Sequence, residues 1–430
     1  MKKVCVFGLG FVGLPLALSF AMRGCEVTGV DVDRQLVEEL NQGVTHHLES
    51  YNGTPIQDIL RTQLDAGRFR ATVDCRSALA TCDNIIVTVG VPVDNGFHDL
   101  NPVLEVSHSI ARGLKKGDLV LIRSTLIPGT TREKLLPILE ESGLKAGKDF
   151  YLAYSSERIA EGRAFYEFEN MPAALSGIDP ESTERAAQLL AIVTKAEITR
   201  ASSMEVVETA KVMENISRDV DIAMINEFAR FTKAMGLDIF EVVQVANTHQ
   251  RVNLLTPGPG VGGYCLPNAL FYLLPKAREL GVDLNLLTTA RSINDSVPRY
   301  VAGLALRNLP VPPARARLAV LGIAMKDFSN DDRMSPALFV IQALQEAGCE
   351  VKAFDPAVPA RYPFKVDSLA DAVRDTHGIL VLARQDNIAF HDFVLFHELM
   401  ARDGQLFIVD TKNVYRRSEC EAAGFHLETL

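Results

Sequence analysis

Lys3-Val4-Cys5-Val6-Phe7-Gly8-Leu9-Gly10-Phe11-Val12-Gly13 is the stretch whose reading decides the fold of this chain. Its first five residues form a mostly apolar run, as a buried parallel strand requires. The glycines follow in a G-x-G-x-x-G spacing. The first permits a tight turn, the second lets backbone approach a pyrophosphate, and the third lets a helix pack against the strand. A helical pattern through Leu16, Ala17, Phe20 and Ala21 ends at Gly24, and a second apolar strand, Glu26 to Val30, ends at Asp31. Together they make a βαβ unit of ~30 residues. The free N–H groups and positive dipole end of the helix N-terminus suit phosphates. Asp31 is placed to accept hydrogen bonds from an adenosine ribose, and its charge repels a 2′-phosphate, so NAD is expected over NADP. Arg34 works against that preference. A domain of this kind can also bind another nucleotide or have lost its ligand.

Lys2 and Lys3 followed by the apolar run Val4 to Met22 superficially resemble a signal peptide or short membrane span. The glycines at 8, 10 and 13 interrupt the run, no A-x-A pattern follows, and no other apolar run approaches membrane length.

Further strands are expected at Asn84–Val89, Leu119–Ile122 and Tyr151–Tyr154, with a helix from Leu104 to Leu114. The first part of the chain therefore reads as a doubly wound α/β domain, residues 1–200. From Met204 to Met235 there is neither proline nor glycine except Gly236 just beyond, and the apolar pattern predicts one helix of ~30 residues, long for a globular domain. It suits a linker and dimer contact. Helical patterns resume from Ala269 to about Leu306, completing a helical linker domain, residues 201–308. Leu309-Pro310-Val311-Pro312-Pro313-Ala314 is a proline-rich joint. Beyond it, strands at Arg317–Gly322, Glu350–Phe354, Gly378–Leu382 and Leu406–Val409, with a helix over Ser335–Ala347, make a second Rossmann-like α/β domain, residues 309–430. Its first strand ends at Gly322 without a second G-x-G-x-x-G, so it is expected to bind something other than a dinucleotide. The fold class is α/β: two Rossmann-like doubly wound domains joined by a long central helix and a helical linker.

A length of 430 residues implies two or three domains. Hydrophobic content of 47% and charged content of 23% are ordinary for a globular protein. The net charge of −10 argues against nucleic acid or an anionic membrane as partner. The seven cysteines are scattered and include no C-x-x-C, which fits free thiols in a reducing cytoplasm and neither a disulfide framework nor a metal site.

Pro257-Gly258-Pro259-Gly260-Val261-Gly262-Gly263-Tyr264-Cys265-Leu266-Pro267 sets one cysteine among residues that fix a loop's shape and let backbone approach a ligand. Cys265 reads there as a reactive thiol or as a small buried hydrophobe. Ser124-Thr125-Leu-Ile-Pro128-Gly129-Thr130 follows a strand end, where open α/β sheets bind ligands. Thr125 is a site hydroxyl or part of a turn or cap before Arg132. Glu157-Arg158-Ile-Ala-Glu161-Gly162 places two carboxylates four residues apart, as a general base needs or as a solvated charge cluster with Arg158 and Arg163 provides. Lys211, Asn215 and Arg218 share one helix face. Desolvation there would tune Lys211 as a proton acceptor or oxyanion stabiliser; a salt bridge to Glu208 or Glu214 is the alternative.

In this order, the glycine-rich start, S-T-x-x-P-G-T, E-R-x-x-E-G, the A-K-x-x-E-N-x-x-R-D helix, P-G-x-G-x-G-G-x-C and Lys326…Arg333-Met-Ser335-Pro336 resemble the UDP-glucose/GDP-mannose dehydrogenase family over nearly the whole length. The resemblance implies an NAD-dependent enzyme that oxidises the C6 alcohol of a UDP-sugar to a carboxylate with two NAD+. It implies Cys265 as nucleophile, with Lys211, Asn215, Glu157 and Thr125 as its helpers. The expected cofactor set is Gly8, Gly10, Phe11, Val12, Gly13, Asp31, Arg34, Thr88, Thr125, Glu161 and Arg333. The expected substrate set is Glu157, Arg158, Glu161, Lys211, Asn215, Arg218, Arg251, Asn253, Gly262, Cys265 and Lys326. It further implies a homodimer, with Arg251 contributed across the interface. Ala246-Asn-Thr-His249-Gln-Arg251-Val-Asn253 resembles the branch that acts on UDP-N-acetylhexosamines, which favours UDP-N-acetylmannosamine or UDP-N-acetylglucosamine over UDP-glucose. Many members carry histidine where this chain has Tyr264, and aspartate where it has Ala269, just after Asn268. That aspartate is expected to help Lys211 handle protons, so its absence bears on water activation and on whether the second oxidation proceeds. A nucleotide-sugar epimerase with tightly held NAD, and a binding regulator without catalysis, are the competing classes.

Overall fold

The computed structural model describes residues 2–94, 96–160 and 162–430. They group into two compact units: the chain up to Glu214 together with Phe271–Val282, and Asn215–Leu270 together with Asp283–Leu430.

The first unit is built on an eight-stranded sheet of β1 (Lys3–Phe7), β2 (Glu26–Val30), β3 (Phe69–Thr72), β4 (Asn84–Val87), β5 (Leu119–Ile122), β6 (Tyr151–Ser155), β7 (Ala173–Gly177) and β8 (Ile198–Arg200). The spatial order is β8-β7-β6-β5-β4-β1-β2-β3. The pairs are parallel except β6 with β7, which run antiparallel. The order 3-2-1-4-5-6 is that of a dinucleotide-binding sheet, and its direction reverses between β1 and β4. Helix α1 (Gly13–Met22) returns from β1 to β2. Its Leu14, Leu18 and Phe20 pack with Val4, Val6 and Val27 in the core. Each such side chain stabilises the fold by ~1.5–3 kcal/mol when fully buried. β5 is buried along its length, which is why it reads in sequence as a continuous apolar run.

The long helix α2 (Met204–Ala234) is close to the span the sequence predicts. Its turns up to Glu214 belong to the first unit and the rest to the second. After a short helix over Ile239–Ala246, helix α3 spans Cys265–Leu280 and α4 spans Asn285–Arg307. The helical patterns from Ala269 to about Leu306 are thus two helices, and the first begins at the cysteine itself. Gly281, at φ 67°, lies at the break.

The second unit carries a parallel sheet of β9 (Arg317–Leu321), β10 (Glu350–Phe354), β11 (Gly378–Val381), β12 (Phe407–Asp410) and β13 (His426–Thr429), in the order β10-β9-β11-β12-β13. Helix α5 (Pro336–Glu346) joins β9 to β10. Ser335 caps α5, accepting from the Ala337 N–H at 3.2 Å. Residues of α2, α4 and α5 share one apolar core with β9 and β11 in this unit. Among the described residues, no helix is long and apolar enough to cross a membrane.

Candidate active site

The glycine turn is built at the carboxyl end of β1. Gly8 has φ 88°, and its N–H donates to Val30 O at 2.9 Å. The Thr88 hydroxyl, at the end of β4, donates to Phe7 O and Gly8 O, each at 2.9 Å. A Cβ on Gly13 would lie 1.7 Å from Gly8 O and 2.7 Å from Thr88 Oγ1, so only glycine lets α1 start this close to the turn. A Cβ on Gly10 would meet nothing within 4 Å. That open face beside the start of α1 has the shape and polarity a pyrophosphate needs. Phe11 is exposed and Val12 half-buried. Asp31 ties the turn to β2: its Oδ2 accepts from Leu9 N at 2.7 Å and its Oδ1 from Asp33 N at 3.1 Å. One bond on each oxygen leaves acceptor capacity for ribose hydroxyls. Arg34 is exposed at the first position of a helix over Arg34–Asn41, which Asp33 caps. The residues expected to bind NAD at this turn therefore converge at the point where strand order reverses.

Two side chains that the sequence reading passed over, His46 and His47, meet Phe11 of this turn, and a third, Glu49, braces the segment after Glu161. His46 and His47 stack with centroids 4.6 Å apart, and the His47 ring meets Phe11 edge-on at 5.1 Å. His47 is 6% exposed and its Nε2 has no hydrogen-bond partner. Burial first, then the neighbouring His46, lowers its pKa to about 4. The buried Glu49 accepts from Gly162 N at 2.5 Å and Ala164 N at 3.0 Å. It thereby fixes the backbone just after Glu161, which itself lies outside the described residues.

Farther along the same sheet edge, Arg123 leaves the end of β5 and pairs with Glu157, which follows β6. Arg123 Nη2 and Nε donate to Glu157 Oε2 at 2.6 and 3.2 Å. Glu157 Oε1 accepts from Arg158 N at 2.7 Å and Ile159 N at 3.0 Å. The two side chains are 5% and 11% exposed, so this is an enclosed ion pair rather than a solvated cluster. Four donors fill the roughly four acceptor sites of the carboxylate. Arg158 instead pairs with Glu214 on α2, through Nε at 3.1 Å and through Nη2. Arg123 sits 34 residues before its partner, a separation that leaves no local signal in sequence.

Thr125 is half-buried in the loop after β5. The loop continues into a π-helical turn at Thr131–Leu135, a form that recurs at functional sites. Glu208 of α2 clamps it. Its carboxylate, 0% exposed, accepts from Gly129 N at 2.6 Å, Thr131 N at 3.0 Å and Thr131 Oγ1 at 2.5 Å. Burial raises the Glu208 pKa, and the three bonds oppose that rise. One helical turn past this clamp, Lys211 is half-buried. Glu208 and Glu214, either of which could pair with Lys211 in the alternative reading, bond to the Gly129–Thr131 loop and to Arg158 respectively.

In the second unit, Asn215 is half-buried and Arg218 exposed on α2, and Arg251 and Asn253 are exposed. The cysteine loop packs on the turn that follows β9. Gly263 N donates to Arg333 O at 2.9 Å. A Cβ on Gly262 would lie 2.7 Å from Pro336 Cδ and 2.9 Å from Met325 Cβ, and one on Gly260 would lie 3.1 Å from Pro336 Cβ. The glycines therefore permit close packing against this turn. Asn226 of α2 accepts from Gly258 N at 3.1 Å, holding the start of the loop. Cys265 ends the loop as the first residue of α3. Of the seven cysteines, all described, Cys265 alone is exposed; Cys75 is intermediate and five are buried. The choice between a packed and an accessible thiol falls to the accessible one. Lys326 and Arg333 are exposed on the same turn.

Residues 2–194 match the NAD binding domain of the UDP-glucose/GDP-mannose dehydrogenase family, residues 205–296 its central domain, and residues 319–417 its UDP binding domain. The chain belongs to the UDP-glucose/GDP-mannose dehydrogenase family. It is 36% identical to the UDP-N-acetyl-D-mannosamine dehydrogenase of Pyrococcus horikoshii over 88% of each chain. It is 33% identical to the UDP-N-acetyl-D-glucosamine 6-dehydrogenase of Pseudomonas aeruginosa over 87% of this chain and 88% of that one. A solved structure of UDP-D-ManNAc dehydrogenase from Pyrococcus horikoshii superposes with a TM-score of 0.90 at 32% identity, covering 100% of this chain and 99% of that one. As a member of the UDP-glucose/GDP-mannose dehydrogenase family, the chain is a nucleotide-sugar dehydrogenase with an NAD binding domain.

Within that family's layout, the two nucleotide-binding regions differ in kind. The turn after β9 has no open glycine face. Gly322, at φ 84°, would place a Cβ 2.1 Å from Ala383 O. Asp355 after β10 is 0% exposed and bonds inward: Oδ2 accepts from Ile323 N and Ala324 N at 2.8 and 3.0 Å, Oδ1 from Ala357 N at 3.0 Å, and Gln385 Nε2 reaches both oxygens.

Proposed function

We propose that the chain oxidises the C6 alcohol of a UDP-N-acetylhexosamine, N-acetylmannosamine or N-acetylglucosamine, to the carboxylate, with Cys265 as covalent nucleophile. The observation that carries this reading is the accessible Cys265 thiol at the start of α3, on a loop whose glycines pack against the Lys326–Pro336 turn. The names of the two relatives above support the N-acetylhexosamine branch, as does the Ala246–Asn253 stretch.

NAD+, when bound at the Gly8–Gly13 turn, supplies a hydride acceptor; Asp31 would hold its ribose, with Arg34, Thr88, Glu161 and Arg333 completing the set. Loss of hydride and a proton from the C6 alcohol leaves an aldehyde. The Cys265 thiolate adds to its carbon, forming a C–S bond as the C=O π bond opens, and the oxygen takes up a proton to give a thiohemiacetal. Loss of a second hydride and of the hydroxyl proton leaves a thioester, and water breaks the C–S bond to give the acid and return the thiol. Lys211 and Asn215 would stabilise the oxyanions of both tetrahedral species. Thr125 would position the water and Glu157 would take its proton, which requires one of the four donors on that carboxylate to give way. Arg158, Glu161, Arg218, Asn253, Gly262 and Lys326 would hold the nucleotide sugar.

The three segments 1–200, 201–308 and 309–430 serve in this reading as cofactor, linker and nucleotide-sugar domains. A homodimer is proposed, with Arg251 reaching the partner's site. Exposed Phe228 and Phe231 on α2, with exposed Met235 just past its end, offer an apolar face for such a contact. A reducing cytoplasm fits the free thiols.

Ala269, 2% exposed, favours a second reading. An apolar residue where many members carry aspartate removes a proton-handling carboxylate, and oxidation would then stop at the aldehyde. Counting NADH per sugar across UDP-N-acetylmannosamine, UDP-N-acetylglucosamine, UDP-N-acetylgalactosamine and UDP-glucose tests both. Two per N-acetylhexosamine supports the full oxidation, and one supports arrest. None with a converted sugar indicates an epimerase, and two with UDP-glucose alone overturns the substrate assignment.

A further inference from the structure

We infer that Asn268 is a positioning residue for the Cys265 thiol, acting as a staple between the peptide that precedes the cysteine and the strained turn at Met334. The inference rests on the reading of Cys265 as nucleophile.

Asn268 lies in the first turn of α3 and is 6% exposed. Its amide nitrogen donates to Tyr264 O at 2.9 Å and approaches Met334 Sδ at 3.9 Å. One NH2 group thus uses its two hydrogens on two separate pieces of chain. Tyr264 O belongs to the peptide whose nitrogen is that of Cys265, so its direction fixes the plane from which the cysteine side chain departs.

The other end of the staple is a rigid platform. Met334 has φ 48°, a left-handed conformation that costs a side-chain-bearing residue free energy and persists only where its surroundings enforce it. Several contacts enforce it here. Arg333 O accepts from Gly263 N, and a Cβ on Gly262 would lie only 3.0 Å from Met334 O. Buried Ser335 donates to Ala324 O at 3.2 Å and caps α5. Backbone contacts at Gly262 and Gly263 tie the loop to this platform from the N-terminal side of Cys265, and Asn268 ties it from the C-terminal side. The thiol is held between two attachments to one turn.

Addition of a thiolate to a carbonyl needs the sulfur within near-attack range and direction, and loss of that alignment costs rate rather than affinity. Truncation of Asn268 therefore lowers kcat and leaves binding in place.

The test compares Asn268→Ala and Asn268→Ser with the parent enzyme, using UDP-N-acetylmannosamine and NAD+. A serine hydroxyl can still donate to the carbonyl four residues back. Asn268→Ala is expected to lower kcat ~10-fold, about 1.4 kcal/mol in barrier, with both KM values within about twofold. Asn268→Ser keeps the Tyr264 end of the staple and loses the Met334 end, so it is expected to recover part of the loss. In substrate-free protein, the rate at which iodoacetamide alkylates Cys265, read by peptide mass spectrometry, should change at least about threefold in Asn268→Ala and return towards the parent rate in Asn268→Ser. Unchanged kcat and alkylation in Asn268→Ala overturns the proposal. So does an equal loss in both variants that follows a fall in Tm, which is the signature of a general structural role. Failure of the nucleophile reading is distinguishable: Cys265→Ala would then still form acid, while the alkylation comparison continues to report on the staple.

Discussion

The chain uses one device twice, to opposite ends. In each unit the first strand of the central sheet runs into a glycine with positive φ, Gly8 at 88° and Gly322 at 84°, and an aspartate just past the second strand ties down the turn. Asp31 spends one bond per oxygen on the turn and remains half-buried, and in that turn a Cβ on Gly10 would meet nothing within 4 Å. Asp355 has no exposure and receives three backbone N–H groups and a glutamine amide. The first braces the turn and keeps acceptor capacity, as its proposed ribose-binding role needs; the second is a brace alone. An unspent, accessible lone pair separates a binding carboxylate from a structural one, and the position of the residue in the topology does not.

Four substitutions can break this contrast. The largest effect is expected from Gly13→Ala, whose methyl would sit 1.7 Å from Gly8 O. The turn or the helix must move, and loss of more than ~3 kcal/mol of stability together with NAD+ binding should appear in urea unfolding and calorimetry. Next is Asp355→Ala, which strands buried donors at ~1–3 kcal/mol each. It should cost ~4 kcal/mol, whereas Asp31→Ala should cost only ~1 kcal/mol while weakening NAD+ at least ~10-fold. Equal stability losses in the two aspartate variants would erase the distinction between brace and acceptor. Gly10→Ala is the complement of Gly13→Ala: its methyl meets open space, so stability should change by less than ~1 kcal/mol while NAD+ affinity falls.

A pH-dependent effect is expected from His47, buried beside Phe11. Above pH 6.5 its ring is neutral in both folded and unfolded chain and adds no pH dependence. Its folded pKa is lowered to about 4 from 6.5, so as pH falls through that window the unfolded chain takes up a proton that the folded chain refuses. Stability is lost progressively over that window, by at most ~3 kcal/mol, and the loss levels off below it. His47→Phe should flatten that part of the urea-midpoint profile between pH 7 and pH 4.5. A profile identical to the parent's would show that His47 is not the group responsible.

The glycine turn was legible because its signal is local: an apolar strand, three spaced glycines and an aspartate lie within one βαβ unit. The buried strands β9, β11 and β12 were legible for the related reason that burial on both faces writes an apolar run. β7 and β8 were not. Ala173–Gly177 reads Ala-Ala-Leu-Ser-Gly and Ile198–Arg200 has three residues with two of them polar, both towards one edge of the sheet, so neither carries such a run. In sequence the start of α3 at Cys265 looks like loop, because Gly263, Tyr264 and Pro267 mask a helix whose first turn tolerates proline. Arg123 with Glu157, and Glu208 with the Gly129–Thr131 loop, join residues 34 and 77–79 positions apart. Pattern along the chain reveals each residue's type, and only the folded sheet and helix bring the partners together.

The proposed chemistry turns on whether the exposed thiol forms a bond to the substrate. The direct measurement is acid formed from UDP-N-acetylmannosamine by Cys265→Ala, beside the parent, with NAD+ affinity determined for both. The expected result is two NADH and one acid per sugar for the parent, and no acid from Cys265→Ala with NAD+ affinity unchanged. Acid formation by Cys265→Ala at the parent rate would contradict a covalent role for Cys265.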